Sequence, residues 1–215
     1  MHSGPLRLND TINVAISEKL TLLIHQTRSK GSTTGWLVWP VAIDLCNLLI
    51  KSPEVIYGKT VLEVGSGTGI VGLVCGILGT RLTILTDLTE SLPICRCNVR
   101  ENIQAHPSLK NVCVEELLWG DQTHMKRIHS LHGPVDVIIG SDVIYHQSEE
   151  VLESLVSTIF QASHSGTKLI IAYEDREGMI QDEVHFFGPI RERFKSLDLI
   201  ELGMTRVVYK FSDFN

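Results

Sequence analysis

Three glycines at alternate positions, Gly65, Gly67 and Gly69, follow directly on the apolar run Thr60-Val-Leu-Glu-Val64 and lead into a second apolar segment from Ile70. A strand that enters a glycine loop and leaves as a helix has the form of a nucleotide-cofactor loop. Glycine lets the backbone turn sharply and approach a ligand, and the amides at the helix start form a polar cradle. The spacing narrows the ligand. A dinucleotide fingerprint of the form G-x-G-x-x-G would place its third glycine at position 70, where Ile70 stands. Glu63 lies inside the strand, two positions before the first glycine, where a carboxylate suits a cationic amino group rather than a pyrophosphate. S-adenosylmethionine (SAM) carries such a group and no phosphate. A second carboxylate points the same way: Arg81-Leu-Thr-Ile-Leu-Thr86 reads as the next strand and ends on Asp87. At that tip in a doubly wound sheet an acidic side chain accepts two hydrogen bonds from a ribose diol. Asp87 also fits the N-cap of a following helix; with Glu63 and the glycines beside it, the cofactor reading is preferred.

Periodicity locates the elements that must hold these residues. Apolar runs over 60–64, 81–86, 112–117, 135–140 and 168–173 read as strands, separated by helical patterns near 69–79, 90–103 and 148–162. Such alternation implies a parallel sheet with right-handed crossovers and helices on both faces. Residues 40–50 repeat apolar side chains at helical spacing, with Pro40 suited to the first turn and Ser52-Pro53 as the stop. A helix near 182–195 precedes two apolar runs, 197–202 and 206–211, around Gly203-Met204-Thr205, the pattern of a closing antiparallel hairpin. At the other end, 12–16 and 20–25 alternate apolar and polar residues around Ser17-Glu18-Lys19 and predict an N-terminal β-hairpin, followed by a polar stretch over 26–34. Residues 1–34 are read as an appendage and loop on a single domain covering 1–215. Ligands in open α/β sheets bind outside the carboxyl ends of the strands, so Gly65, Asp87, Trp119 and Asp142 are expected to converge from four strand tips.

With 215 residues, 43% of them hydrophobic, the chain fits one sizeable α/β domain. A formal net charge of -6 offers no basic field to phosphate backbones, so no nucleic-acid partner is expected. Five cysteines, Cys46, Cys75, Cys95, Cys97 and Cys113, make neither a C-x-x-C pair nor a zinc-spaced set with histidine. His124, His129 and His132 fall in a polar region read as loop, and solvated histidines are expected there, not metal ligands. The opening Met-His-Ser-Gly-Pro lacks the basic and apolar regions of a secretory signal, and the most apolar stretch, 69–79, is short of the ~20 residues that span a bilayer. The expectation is a soluble monomer in the cytoplasm, with the nucleus also open, and no membrane partner.

Taken in order, Val61-Leu-Glu-Val-Gly-Ser-Gly-Thr-Gly69, Asp87, the alternating strands and the terminal hairpin resemble the class I, seven-strand SAM-dependent methyltransferases. Three further pieces resemble the protein-lysine methyltransferases of the methyltransferase-like 21 type: Thr34-Gly-Trp-Leu-Val-Trp-Pro-Val-Ala42, Leu118-Trp-Gly120 and Ser141-Asp-Val-Ile-Tyr145. The match spans roughly residues 33–211. It implies an α/β, Rossmann-like, doubly wound seven-stranded sheet, mostly parallel, with a C-terminal antiparallel hairpin and the N-terminal hairpin as an extension. It also implies SAM as cofactor, S-adenosylhomocysteine as product, and a lysine-bearing protein as substrate. Carried onto this chain, the resemblance gives cofactor contacts to Glu63, Gly65 and Gly67 at the first strand, and to Asp87 and Leu88 at the second. Trp119 would offer its ring to the adenine, Trp39 and Ser141 would border the cofactor, and Trp36 would stand at the entrance.

The resemblance makes Asp142 and Tyr145 the catalytic pair, and the chemistry is coherent. Methyl transfer from a sulfonium is an in-line displacement that needs a neutral amine lone pair held near the methyl carbon. Lysine, with a pKa of about 10.4, is mostly protonated at neutral pH, and a nearby carboxylate raises that value. Asp142 therefore suits orientation of the amine through a hydrogen bond, with the proton lost to water and no general base assigned. Tyr145 would wall the methylene stem and the methylated cation. Each also fits a structural role, Asp142 as a turn cap and Tyr145 as a packed aromatic. Tyr173-Glu-Asp-Arg176 at the pocket rim and Asn98 in the helix after Asp87 are further candidates. Two alternatives stay open: a class I methyltransferase acting on a small molecule or on protein histidine or arginine, and a non-catalytic SAM-binding module. Ser-Asp-Val-Ile-Tyr stands where enzymes of nucleobases and glutamine amides carry Asn-Pro-Pro-Tyr, which argues against those acceptors. The intact glycines and Asp142 argue against a silent module.

Overall fold

The computed structural model describes residues 10–18, 20–27, 34–145, 147–174, 182–202 and 205–215. Among these residues nine strands appear: β1 (Asp10–Ser17), β2 (Leu20–Gln26), β3 (Thr60–Val64), β4 (Leu82–Asp87), β5 (Val112–Glu116), β6 (Val137–Ser141), β7 (Lys168–Glu174), β8 (Phe194–Glu201) and β9 (Arg206–Phe214). The last seven form one sheet in the order β5-β4-β3-β6-β7-β9-β8. β3 to β7 pair in parallel, and β9 joins antiparallel to both β7 and β8. The expected architecture is present, closing hairpin included.

Among the described residues six α-helices accompany the strands: α1 (Pro40–Lys51), α2 (Ile70–Ile77), α3 (Leu92–Asn102), α4 (Gln122–His132), α5 (Glu149–Ala162) and α6 (Gly188–Arg193), the last preceded by a π turn over Glu183–Phe187. Strand side chains alternate between two helix layers, as period 2 requires. Leu62, Val64 and Ile138 join the core built on α4, α5 and α6, whereas Val61, Val137 and Ile139 join the core beneath α1 and α2. The parity of β3 thus directs Glu63 towards α2. The strand order reverses between β3 and β6, so the crevice outside their carboxyl ends is the topological switch point where such sheets take ligands.

Two readings are corrected. The region of His124, His129 and His132 is helix α4, capped by Asp121, whose Oδ1 accepts from the Thr123 and His124 amides at 2.7 and 3.0 Å. Only Met125 and Ile128 of that helix are buried, too short an apolar stripe to announce it. Its histidines are not simply solvated: His129 Nε2 lies 3.0 Å from the Gln161 carbonyl and His132 Nε2 lies 3.2 Å from Glu115. The helix expected over 182–195 ends earlier, because strand β8 starts at Phe194. The N-terminal hairpin forms a two-stranded sheet of its own that packs on the body of the protein. Leu22 and Ile24 are fully buried in the α1/α2 core, burial that stabilises by roughly 1.5–3 kcal/mol per side chain. Asp175, Arg176, Gly203 and Met204 lie outside the described residues.

Candidate active site

The glycine loop begins where β3 ends. Gly65 and Gly67 have φ of +62° and +53°, the left-handed region that side chains rarely enter. At Gly67 a second constraint applies: a Cβ there would lie 2.4 Å from the Gly35 carbonyl oxygen. The segment before α1 therefore packs directly on the loop, and the chain's own backbone already demands glycine at this position. The expected cradle of free amides is also revised. Ser66 donates to Thr86 O at 2.9 Å, Gly67 to Asp87 Oδ2 at 2.7 Å, Gly69 to Ser66 O at 2.7 Å, and Gly72, in the first turn of α2, to Glu63 Oε2 at 3.0 Å. These amides are already paired, an arrangement poorly suited to binding phosphate.

Glu63 thus satisfies a helix-start amide from within the strand, a service usually performed by an N-cap side chain; the N-cap here is Gly69, which has none. The carboxyl is 2% exposed. Burial pushes its pKa up to about 8 from an ordinary 4.5, against the opposing pull of the hydrogen bonds from Gly72 and Ser66. Asp87, at the tip of β4, is engaged through both oxygens, Oδ2 with Gly67 N–H and Oδ1 with Leu88 N–H at 2.7 Å. Burial raises its pKa as well, while the amides of Gly67 and Leu88 and the Ser91 hydroxyl hold it down. The N-cap of α3 is Ser91, so Asp87 does not fill that role.

The tip of β6 carries the other group. Asp142 is 5% exposed and has φ +54°, one of two non-glycine residues with positive φ among the described residues. Its amide donates to Ala172 O at 2.9 Å, which ties the turn to β7. A backbone strained in this way costs of order 1–3 kcal/mol and is found where function needs a side chain aimed. Tyr145 stands three residues on, its ring 6.5 Å from that of Trp39 at an interplanar angle of 37°. Trp39 is the N-cap of α1, and Pro40 behind it favours the extended backbone it adopts, ψ 146°. Trp119 sits on a turn closed by Asp121 N–H to Leu118 O at 3.0 Å, followed by Gly120 at φ +84°.

All these groups face one cavity of about 400 Å³ at the switch point. Every proposed contact lines it: Glu63, Gly65 and Gly67 from β3; Asp87 and Leu88 from β4; Trp119 after β5; Ser141, Asp142 and Tyr145 from β6; and Trp39 before α1. Ser141 Oγ is buried and finds no hydrogen-bond partner among the described residues. Trp36, expected at the entrance, does not line the cavity. Reasoning from sequence missed Gly35 and Val38 on the segment before α1, and Gln147, Val151 and Ser154 at the start of α5. The spacing of the last two, three apart on a helix that follows the acceptor turn, was the available signal.

Comparison with known proteins gives the family and the fold. A family model described as lysine methyltransferase matches residues 16–193. The chain is 32% identical over 182 residues to protein N-lysine methyltransferase METTL21A of Danio rerio, covering 83% of this chain and 78% of that protein. It is 29% identical to EEF1A lysine methyltransferase 3 of Xenopus tropicalis, with 76% and 67% covered. It is 27% identical to protein N-terminal and lysine N-methyltransferase EFM7 of Candida glabrata, with 86% and 72% covered. Among solved structures, ribosomal protein L11 methylase from Lactobacillus delbrueckii subsp. bulgaricus superposes with a TM-score of 0.63 over 94% of this chain and 99% of that one. At 17% identity that likeness establishes the fold alone. The chain belongs to the lysine methyltransferase family, as a class I protein-lysine N-methyltransferase.

Proposed function

We propose that this protein transfers a methyl group from SAM to the side-chain amine of a lysine in a protein substrate, with the cofactor held by β3, β4 and the β5 turn and the lysine presented at the tip of β6. The observation that carries the reading is the convergence of Glu63 and Asp87 with Asp142 and Tyr145 in one cavity. The residues suit the cofactor. The cavity volume lies within the ~300–1,000 Å³ of small-molecule sites. The amides of Ser66, Gly67 and Gly69 are spent on internal acceptors, which disfavours a phosphate, while Glu63 offers a carboxyl to an ammonium. Asp87 keeps unused lone pairs for a diol, and the unpartnered Ser141 hydroxyl offers one more polar contact.

When bound, SAM supplies a methyl carbon activated by its sulfonium. The protein's task is then to bring a neutral amine in line with it and to keep water away. Asp142, aimed by its strained backbone, accepts a hydrogen bond from the amine and fixes the direction of its lone pair. It raises the lysine pKa and so does not itself favour loss of the proton; the proton passes to water, and orientation is its contribution. The ring of Tyr145 walls the methylene stem and faces the methylated cation as it forms, with Trp39, which borders the cofactor, tilted beside it. We place the reaction in the cytoplasm. The five cysteines are free, as in a reducing compartment.

The test is to incubate a cell lysate with purified enzyme and labelled SAM and to map the modified residue by mass spectrometry. Label on one lysine of one protein is expected, abolished when that lysine becomes arginine, which offers no free lone pair. Label on histidine, arginine or a small molecule would overturn the assignment of the acceptor.

A further inference from the structure

The N-terminal hairpin is fastened to the body of the protein by two amide side chains, and one of them also holds the glycine loop. Asn98 and Asn102 lie one turn apart on α3, facing the outer edge of β2. Asn102 accepts from Leu23 N–H at 2.9 Å and donates to Leu23 O at 2.7 Å. Asn98 repeats the arrangement two residues along, accepting from His25 N–H at 2.7 Å and donating to His25 O at 3.1 Å. Alternate residues of a strand present their backbone groups to the same side, so the two amides take the place of the neighbouring strand that this edge lacks. There the equivalence ends. The Asn102 amide nitrogen also donates within α3, to Asn98 O at 2.8 Å, whereas that of Asn98 donates to Thr68 O at 2.9 Å, inside the glycine loop.

Thr68 lies between two glycines with φ of +53° and +79° and lines the cavity. A peptide flanked by glycines has little conformational preference of its own, so its carbonyl direction must be imposed from outside. Asn98, fully buried, imposes it. A second path joins the same elements: Thr27 N–H donates to Trp36 O at 3.0 Å and Val38 N–H to Gln26 Oε1 at 3.3 Å, which ties the end of β2 to the segment packed on Gly67.

We infer that Asn98 is a positioning residue of the cofactor site, and that through it docking of the N-terminal hairpin and binding of SAM are coupled. The inference rests on the cofactor placement proposed above. Coupling is reciprocal: if a docked β2 strengthens SAM binding, SAM strengthens the docking of β2 by the same factor.

Hydrogen exchange on the unaltered chain is the first test and needs no variant to fold. SAM should slow exchange of the Leu23 and His25 amides; no change on saturation with SAM would overturn the coupling. The second test compares Asn98→Ala with Asn102→Ala. Both lose bonds to the hairpin and should lower thermal stability alike. Only Asn98→Ala should weaken SAM, by about tenfold as for one lost hydrogen bond, raising KM for SAM while kcat at saturating SAM and KM for the protein substrate stay unchanged. Asn98→Asp keeps the acceptor for His25 N–H and sets an oxygen against Thr68 O, so it should weaken SAM as much. A folded Asn98→Ala with native affinity, or equal weakening in Asn102→Ala, would reduce Asn98 to a structural role. Asp87→Ala separates the two levels: if it too binds SAM normally, the cofactor placement has failed; if it alone weakens binding, only the coupling has.

Discussion

Asp87 and Asp142 are both aspartates at strand tips facing one cavity, yet they are held in opposite ways. Asp87 sits on ordinary strand backbone, and its carboxylate is fixed by the amides of Gly67 and Leu88. Asp142 has its backbone under strain at φ +54°, with the amide tied to Ala172 and the side chain presented by that twist. The same division runs through the two halves of the site. The cofactor half is a mesh of bonds to backbone groups, in which Glu63, Asp87 and Asn98 each hold one peptide of the loop or of the first turn of α2. The acceptor half is made where distant segments meet, Trp39 before α1 and Tyr145 after β6. Damage to the first should therefore appear in SAM affinity, and damage to the second in turnover.

The harshest break of the cofactor half is Gly67→Val. A β-branched side chain at φ +53° is strained by roughly 1–3 kcal/mol, and its Cβ would also displace the Gly35 carbonyl. SAM affinity should fall by at least about a hundredfold, with lowered stability because the segment before α1 is dislodged. Calorimetric titration beside chemical denaturation measures both, and native affinity in this variant would move the cofactor off the loop.

On the acceptor half, Asp142→Ala should lose about 2–3 kcal/mol of transition-state stabilisation, a fall of roughly a hundredfold in turnover, with SAM affinity changed only a few-fold. Asp142→Gly sharpens the contrast. Glycine relieves the φ strain, so this variant should be as stable as the native protein or more so while equally inactive, the pattern expected where a site stores strain. Equal losses of SAM affinity and turnover in Asp142→Ala would erase the division between the halves.

Asp87→Ala should weaken SAM by about 2 kcal/mol, the scale of a hydrogen bond to a charged group, with kcat at saturating SAM nearly retained. Asp87→Asn keeps an acceptor for Gly67 N–H and should recover part of the loss. No recovery would mean that the ligand, not the loop, is what the charge serves.

Which parts were legible in sequence follows the same boundary. Glu63, the glycines and Asp87 stand at fixed short spacings around strand ends, so the parallel sheet and the residues that these strand tips bring to one cavity could be read directly. Contacts between remote segments could not. The Gly35 carbonyl that demands glycine at 67 and the bonds from Asn98 to His25, 73 residues apart, leave no local pattern, so neither the packing of the segment before α1 on the loop nor the fastening of the hairpin to α3 could be foreseen. Trp36 and Trp39 look alike in sequence, yet only Trp39 reaches the cavity, because it caps α1. Helix α4 was hidden for another reason: two buried side chains are too few to reveal a period.

The smallest effect concerns Glu63, and it tests whether a buried carboxyl can serve both the fold and the cofactor. In the folded protein it titrates near 8, against 4.5 ordinarily. Between those values the folded state keeps a proton that the unfolded state has lost, so stability must fall as pH rises, by about 1.4 kcal/mol per pH unit from this one group. Below pH 4.5 both states are protonated and the effect vanishes; above about 8 both are charged and it levels off. Glu63→Gln keeps an acceptor for Gly72 N–H but cannot ionise, so its stability should decline less between pH 6 and pH 7 than that of the native chain, by about that amount. An ammonium held at Glu63 would favour the charged form, so saturating SAM should flatten the native protein's pH dependence and leave that of Glu63→Gln unchanged. Denaturant unfolding at the two pH values, with and without SAM, measures all four cases. If SAM leaves the native slope as it was, Glu63 belongs to the fold alone, as the cap of α2.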